Sequence, residues 1–141
     1  MQCSEIMKTS IESTSLRDTV GHAAACMRDR NIGFLPVCDQ TGKVVGTLTD
    51  RDIAIRVVAG QKPHTTLVQD AMSNEIISCS PDADLKEAER LMTRHQKSRM
   101  LCIGDDGRPI GVISLSDIAQ QDSTSRASRI LKKVSEREAS L

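Results

Sequence analysis

Two short stretches of the sequence place a hydroxyl three residues before a carboxylate, directly after an apolar run. Thr49 precedes Asp52 in the first stretch, and Ser114 precedes Asp117 in the second. This spacing is typical of a capping box, in which the hydroxyl and the acid bind the first backbone N–H groups of a helix. The same groups suit a phosphorylated sugar, because a helix N-terminus attracts phosphate and a carboxylate accepts hydrogen bonds from ribose hydroxyls. The spacing alone leaves both interpretations open.

Both stretches lie within a longer internal repeat. Residues 7–54 align with residues 72–119 at a constant shift of 65 positions, without a gap. Each copy keeps the glycine three residues before the hydroxyl, Gly46 and Gly111, which indicates a close approach of backbone or ligand there. A repeat of this length indicates a duplicated structural unit. A site built by one copy can therefore be built by the other.

The apolar pattern of the first copy predicts a strand, a helix, two strands and a second helix. The first strand is expected around 11–13, and Ser15 is expected to cap the first helix. The apolar face of that helix consists of Val20, Ala23, Ala24 and Met27. A turn at 39–42 separates the next two strands, and the last helix is expected to start near Thr49 and end at Gly60.

The second copy predicts the same elements. A strand is expected around 76–78, followed by a helix with Ser80 as N-cap and Pro81 at its first position, and later by a turn at 104–107. Beyond the repeat, residues 126–138 predict an amphipathic C-terminal helix. Its apolar face consists of Ala127, Ile130, Leu131 and Val134.

The expected fold class is therefore α/β of the α+β type. Two βαββα repeats are expected to pack about a pseudo-two-fold axis, with a C-terminal helix added. The first repeat is assigned to residues 1–63, the second to 64–122 and the helical extension to 123–141.

The composition excludes several classes of protein. The chain has 141 residues, a formal net charge of zero and 1% aromatic residues, of which Phe34 is the only one. Nucleic-acid binding relies on clustered basic charge or on aromatic stacking, so nucleic acid is not an expected partner. No apolar run approaches the roughly 18 residues of a membrane span, so a membrane is not expected either.

The cysteines favour a reducing, cytoplasmic location. They are odd in number and contain no CxxC pair: Cys3, Cys26, Cys38, Cys79 and Cys102. We expect reduced, structural thiols, with Cys26 buried and Cys38 partly exposed. The histidines show no ligand spacing to each other or to a cysteine pair, so no metal site is expected. No nucleophile recurs with a base, so no enzymatic activity is expected.

The order and spacing of several motifs resemble the cystathionine β-synthase (CBS) domain family in its tandem form, the Bateman module. The resemblance covers residues 3–120 approximately and is strongest to small stand-alone bacterial members. Its motifs, besides the two hydroxyl–acid pairs, are Ile11-Glu12-Ser13, Ile32-Gly33-Phe34-Leu35-Pro36-Val37, Gly42-Lys43-Val44-Val45-Gly46, Ile76-Ile77-Ser78 and Gly107-Arg108-Pro109-Ile110-Gly111.

The resemblance implies a regulatory module that binds adenosine derivatives in clefts between the copies. The implied ligands are AMP, ADP and ATP, and less readily NAD or S-adenosylmethionine; no cofactor is required. Asp52 and Asp117 would accept hydrogen bonds from ribose hydroxyls, and Thr49 and Ser114 would contact phosphate or ribose.

The resemblance also implies contacts to the rest of the ligand. Ser13 and Ser78 would lie near the base or the sugar. The backbone of two stretches would read the adenine edge, and the residues concerned are Ile32, Gly33, Phe34, Leu35 and Pro36 in the first copy and Ser98, Arg99 and Met100 in the second. An apolar sandwich for the base would come from Ile11, Ile32, Ile53, Ile76 and Ile118.

The two copies differ where a phosphate would lie. Arg51 and Arg56 in the first copy correspond to Ser116 and Gln121, which carry no charge. The two arginines could bind phosphate or could be solvated helix charges. We expect the second cleft to be weaker, differently selective or empty, although Arg99 could supply a phosphate contact there.

Two hypotheses of function follow. The leading one is an adenine-nucleotide sensor whose shape or affinity for a partner changes with its ligand. The alternative is a ligand-independent dimerisation and protein-interaction module with degenerate clefts. A homodimer is expected in either case, because closed two-fold dimers are the commonest oligomers. The sequence identifies no regulated protein partner. If nucleotide binds, the loss of affinity on substitution is expected to be larger for Asp52 than for Asp117.

Overall fold

The computed structural model describes residues 1–121 and 129–134. Contacts within the chain divide it into two compact units. The first unit is Glu12–Ile76, and the second joins Met1–Ile11 to the chain from Ile77 onward. Each unit therefore combines the core of one sequence repeat with the segment that leads into the other repeat and includes its first residues. The boundaries expected at 63 and 122 follow the repeat in the sequence, not this division of contacts.

The first unit contains a three-stranded mixed sheet. Strand β1 (Thr14–Ser15) pairs parallel with β2 (Phe34–Cys38), and β2 pairs antiparallel with β3 (Val44–Thr49). Helix α1 (Val20–Arg30) connects β1 to β2. A parallel pair needs such a crossover, whereas the antiparallel pair needs only a tight turn.

Helix α2 (Asp50–Asp52) begins directly after β3, as predicted, and continues as π-helical turns over Ile53–Val58. It ends at Val58 with Ala59 as its C-cap, so Gly60 lies just past the helix end as predicted, but the residue in the left-handed region is Gln61 with φ 56°. A Cβ at Gly60 would lie 2.6 Å from the carbonyl oxygen of Arg56. The glycine therefore serves the close packing of this helical end rather than a reversal of the backbone.

The second unit confirms the predicted order strand, helix, strand, strand, helix. Its elements are β4 (Ser78–Cys79), α3 (Leu85–His95), β5 (Arg99–Ile103), β6 (Pro109–Ser114) and α4 (Leu115–Gln121). Strand β4 is parallel to β5, and β5 is antiparallel to β6. In both units a glycine completes the predicted turn between the last two strands, Gly42 at φ 87° and Gly107 at φ 82°.

The first helix of each unit begins later than predicted. Thr19, not Ser15, is the N-cap of α1, and its hydroxyl accepts the N–H of His22 at 3.1 Å. Asp84, not Ser80, is the N-cap of α3. The carbonyls of both serines instead accept a hydrogen bond from the residue three positions later, which forms a turn ahead of each helix. Such a turn redirects the chain out of the strand before the helix can pack on the sheet.

The first strand of each unit is also shorter and lies later than predicted. Strand β1 starts at Thr14, beyond the range 11–13, and β4 overlaps the range 76–78 only at Ser78. The positions of both strands follow from their partners, since Thr14 pairs with Val37 and Ser78 pairs with Leu101. Two-residue strands carry too little periodicity to be located from the sequence alone.

Each unit has its own aliphatic core. The fully buried residues include Val20, Leu35, Val37, Leu48 and Val68 in the first unit and Met92, Met100, Ile113 and Ile118 in the second. Residues 129–134 are helical, and their Ile130 is buried in the core of the second unit while Leu131 is 54% exposed. Ala127 lies outside the described residues. Within the described part of the chain, no helix is long and apolar enough to cross a membrane.

Residues 1–11 and residues 71–76 each lead into the core of one repeat and pair with the third strand of the unit they join; we call them the crossing segments. In the first unit, Thr47 and Ser73 exchange two backbone hydrogen bonds, with N···O distances of 3.0 and 2.9 Å. The same contact in the second unit joins Lys8 to Val112, at 2.9 and 3.0 Å.

A glycine of the strand makes room for this crossing in both units. A Cβ at Gly46 would lie 2.6 Å from the carbonyl oxygen of Ser73 and 2.9 Å from Met72 Sδ. A Cβ at Gly111 would lie 2.5 Å from Met7 Sδ. The close approach predicted at the two glycines is therefore present: the Ser73 carbonyl and the Met72 side chain approach Gly46, and the Met7 side chain approaches Gly111.

This packing predicts a coupled effect on stability. Gly111→Ala should lower the free energy of unfolding by about 1–3 kcal/mol, because the new methyl group overlaps Met7. In a Met7→Ala background, the loss of unfolding free energy caused by Gly111→Ala should be smaller by at least about 1 kcal/mol. The loss caused by Gly46→Ala should be unchanged in a Met72→Ala background, because the Ser73 carbonyl remains in place. Urea unfolding of both double-mutant cycles measures these terms, and additive effects at Gly111 would contradict the contact.

Three of the five cysteines form a buried group in the second unit, and none of the five forms a disulfide. Cys79 Sγ lies 3.5 Å from Cys3 Sγ and 3.7 Å from Cys102 Sγ. Burial, with the hydrogen bond from Cys79, raises the pKa of the Cys3 thiol to about 12. Cys38 is partly exposed as predicted, but the prediction of a buried Cys26 is wrong, because it is only half-buried.

These environments predict an order of reactivity towards iodoacetamide at pH 8. Cys26 and Cys38 should be alkylated first. Cys3, Cys79 and Cys102 should react more than about tenfold more slowly until the protein unfolds, because burial shields all three sulfur atoms from the reagent and disfavours the nucleophilic thiolate at Cys3 and Cys79. Peptide mass spectrometry over time checks the order. Rapid native alkylation of Cys3, or a disulfide between Cys3 and Cys79, would contradict the structure.

Candidate functional site

Both hydroxyl–acid pairs form capping boxes. In the first unit, the Asp52 N–H donates to Thr49 Oγ1 at 3.1 Å, and the Thr49 N–H donates to Asp52 Oδ2 at 3.0 Å. In the second unit, the Asp117 N–H donates to Ser114 Oγ at 3.1 Å, and the Ser114 N–H donates to Asp117 Oδ2 at 2.9 Å. The capping interpretation of the sequence is therefore confirmed. Each cap uses only the Oδ2 atom of its carboxylate.

The second oxygen of each carboxylate faces a cation. Asp52 Oδ1 lies 4.0 Å from Nη2 of Arg56, one helical turn later in the same helix. Asp117 Oδ1 lies 3.5 Å from Nζ of Lys8, which belongs to the crossing segment Met1–Ile11. The two acids are mostly buried, with side chains 18% and 10% exposed, so their orientation is set by the protein. Both units thus present an oriented carboxylate beside a positive charge, although the charge comes from different parts of the chain.

Arg56 is held by the main chain of the crossing segment of the first unit. Its Nη1 donates to the carbonyl oxygens of Ala71 at 3.0 Å and Met72 at 2.7 Å. The arginine therefore ties α2 to the residues directly before Ser73. Arg51 is exposed, and within the described part of the chain its side chain makes no hydrogen bond or ion pair.

The cross-strand neighbours of the two hydroxyls differ between the units. Phe34 is directly opposite Thr49, and Arg99 is directly opposite Ser114. Directly opposite residues of antiparallel strands have Cβ atoms about 5 Å apart, so Arg99 lies within reach of the second site. Phe34 is half-buried and Arg99 is exposed.

The start of the last helix also differs between the units. In the first, the Asp50 N–H donates to the carbonyl of Gly33 at 3.1 Å, and a Cβ at Gly33 would lie 2.7 Å from Asp50 Oδ2. In the second, Leu115 and Ser98 occupy these positions, and the Leu115 N–H donates to the Ser98 carbonyl at 2.8 Å. An extra acid is therefore present at the first site and is replaced by an apolar residue at the second.

Several residues that the sequence pointed to have side chains in the cores. Leu35, Pro36, Met100 and Ile118 are all fully or almost fully buried. Ile32 is half-buried, next to the core of the first unit. Ser13 is exposed before β1 and Ser78 is half-buried in β4. Among the described residues, neither serine shares a hydrogen bond with the hydroxyl–acid pairs.

Sequence reasoning missed Lys8 and Asp50. Lys8 follows Met7, a residue repeated as Met72, but the sequence contains no signal that Met7 packs against Gly111. No group of three or more His, Cys, Asp or Glu side chains in the described part of the chain is arranged to hold a metal ion.

The contacts of Arg56 predict a structural role that Arg51 lacks. Arg56→Met should lower the free energy of unfolding by about 1–2 kcal/mol, since two carbonyl groups lose a charged donor. Arg51→Met removes the same charge from the same helix and should change it by less than about 0.5 kcal/mol. Urea unfolding of the two variants side by side is the measurement, and equal effects would show that the carbonyl contacts contribute nothing.

The fold and the sequence both have known relatives. The sequence profile described as CBS domain matches residues 3–59 and 68–123. The CBS domain-containing protein YhcV of Bacillus subtilis is 38% identical over 115 residues, which are 82% of this chain and 81% of YhcV. The crystal structure of the CBS domain protein TA0289 of Thermoplasma acidophilum matches with a TM-score of 0.82 at 25% identity, covering 94% of this chain and 75% of that one.

Two further solved structures of this fold contain ligands. The CBS domain pair of protein MJ0100, in complex with 5′-methylthioadenosine and S-adenosyl-L-methionine, has a TM-score of 0.77 at 23% identity and covers 86% of this chain and 98% of that one. CBSX2 in complex with AMP has a TM-score of 0.74 at 18% identity, with 85% and 94% coverage. At these identities the likeness concerns the fold alone. Because the profile matches both repeats and YhcV matches over most of its length, the chain belongs to the CBS domain family and is a tandem CBS domain pair.

Proposed function

We propose that the chain is a regulatory sensor that binds adenosine derivatives at its two hydroxyl–acid pairs. The observation that carries the proposal is the arrangement of Asp52 and Asp117, each of which caps a helix with Oδ2 and keeps Oδ1 outside the cap beside a cation. A fixed carboxylate oxygen is the acceptor that ribose hydroxyls require, and the neighbouring cation suits a phosphate. Structures of the same fold contain AMP, 5′-methylthioadenosine or S-adenosyl-L-methionine.

The capping role makes the carboxylate a better acceptor for the ligand. A carboxylate held by a backbone N–H loses little rotamer freedom when a hydroxyl binds to its second oxygen, so the ordering cost of binding is low. The proposed ligands are AMP, ADP and ATP first, with NAD and S-adenosylmethionine as weaker candidates, and no cofactor is required. Thr49 and Ser114, whose hydroxyls already accept the acid N–H groups, are proposed as further contacts to ribose or phosphate.

The alternative function is a ligand-independent interaction and dimerisation module. Capping boxes stabilise helices without any ligand, so the two pairs are compatible with this alternative. Ile55 and Val58 of α2 are 51% and 70% exposed, which supports a surface for protein contact. The homodimer stays a prediction.

The two functions predict different results for substitutions of the acids. Asp52→Ala and Asp117→Ala should each weaken nucleotide binding at their own site roughly ten- to hundredfold, because a charge-assisted hydrogen bond contributes about 1.5–3 kcal/mol. The loss of a cap should also cost about 0.5–2 kcal/mol of stability. Calorimetric titration with AMP and with ATP measures the affinity, and urea unfolding measures the stability.

Two control variants separate the roles. Thr19→Ala removes the cap of α1, and it should lower the stability without changing nucleotide affinity. Asp52→Asn keeps an oxygen that accepts the Thr49 N–H but loses the charge, so it should keep the cap and still weaken binding. Equal nucleotide affinity in the wild type and both alanine variants, or no binding by the wild type at millimolar nucleotide, would reject the sensor and favour the interaction module.

A further inference from the structure

Lys8 is held in place by its backbone, although its side chain is 73% exposed. It exchanges two backbone hydrogen bonds with Val112, and the preceding Met7 lies on Gly111. Earlier in the same segment, Cys3 is fully buried and its N–H donates to the carbonyl of Ala83 at 2.9 Å. The Cα atom of Lys8 is therefore held in position relative to β6, and the ammonium group can change place only by rotation about the bonds of the side chain.

The ammonium group of Lys8 makes no hydrogen bond to the main chain among the described residues, whereas Nη1 of Arg56 is bound to two main-chain carbonyls. Lys8 Nζ lies 3.5 Å from Asp117 Oδ1, the acid oxygen outside the cap, and this is its only ion pair among the described residues. Arg56 occupies the corresponding place beside Asp52 but gives two hydrogen bonds to main-chain carbonyls. The residue that aligns with Lys8 in the repeat is Ser73, which has no charge.

The balance of charge therefore favours an anion at the second site. The first site contains two acids, Asp50 and Asp52, together with two arginines, one of which is bound to carbonyl groups. The second contains one acid, Asp117, with Lys8 beside it and Arg99 opposite Ser114. Leu115 replaces the additional acid of the first site.

We propose that the second site is the phosphate-selective one and that Lys8 binds the 5′-phosphate of a nucleotide whose ribose is held by Asp117. The proposal rests on the proposed function and assigns a ligand class to one of its two sites. When ribose hydroxyls donate to Asp117 Oδ1, the four-carbon stem of the lysine lets its ammonium group turn from the carboxylate to the phosphate. The second site then prefers a phosphorylated ligand more strongly than the first. This order is the reverse of the one expected from the lack of Arg51 and Arg56 equivalents in the second copy.

A matched pair of ligands tests the proposal. AMP and 5′-methylthioadenosine share the adenosine group, and they differ in whether the 5′ position carries a phosphate or an uncharged methylthio group. The titrations are done in an Asp52→Ala background, so that the second site dominates the signal. Lys8→Met should weaken AMP binding about three- to tenfold at low salt and leave the affinity for 5′-methylthioadenosine within about twofold.

Controls separate the charge from the packing and from general electrostatics. Lys8→Arg keeps the charge and should keep AMP affinity within about twofold of the lysine protein. Lys86→Met removes an exposed charge on α3 of the same unit and should change neither ligand. The effect of Lys8→Met should shrink as salt is raised to about 0.5 M, because exposed charges are then screened.

The outcomes distinguish this inference from the function on which it rests. If AMP binds but Lys8→Met leaves its affinity unchanged, the role of Lys8 is rejected and nucleotide binding stands. If Lys8→Met weakens both ligands equally, the lysine acts by packing and the phosphate contact is rejected. If the wild type binds neither ligand at millimolar concentration, the proposed function itself is rejected, and the inference with it.

Discussion

The lack of a side chain at Gly46 and Gly111 is the constraint on which the rest of the structure depends. Each glycine lies in the third strand of its unit, where a Cβ would overlap the crossing segment: it would overlap the Ser73 carbonyl and Met72 at Gly46, and Met7 at Gly111. The residue that follows the methionine in each segment then exchanges two hydrogen bonds with the strand. Since well-packed interiors do not absorb an extra methyl group without strain, a glycine at each position is what lets a crossing segment lie against the strand that leads to each site.

The pairing of each crossing segment with its strand also fixes the surroundings of the two sites. The strand that receives the segment ends at Thr49 or Ser114, and the helix that follows is capped by the acid three residues later. A capped carboxylate has one oxygen fixed and one exposed to its surroundings. The crossing segments then determine the second oxygen's neighbours, through the carbonyls that hold Arg56 in one unit and through Lys8 in the other. The capping role and the proposed binding role therefore use different atoms of the same side chain.

The duplicated sites have diverged in charge while keeping their geometry. The capping distances agree within 0.1 Å between the units, whereas the cation beside the acid comes from a helix in one and from a crossing segment in the other. Electrostatic selectivity can change in this way without disturbing the backbone, because an exposed lysine contributes little to stability.

Features whose partners are close along the chain could be predicted from the sequence. The order of strands and helices, the glycine turns and both capping boxes depend on spacings of a few residues, which periodicity and turn chemistry record, and the repeat is visible as a constant shift of 65 positions. The folded chain was needed to find that Lys8 faces Asp117 and that Arg56 binds the carbonyls of Ala71 and Met72. It was also needed to find that the compact units exchange their leading segments. These contacts join residues distant in sequence, and side-chain packing selects them, so no local pattern in a single sequence specifies them.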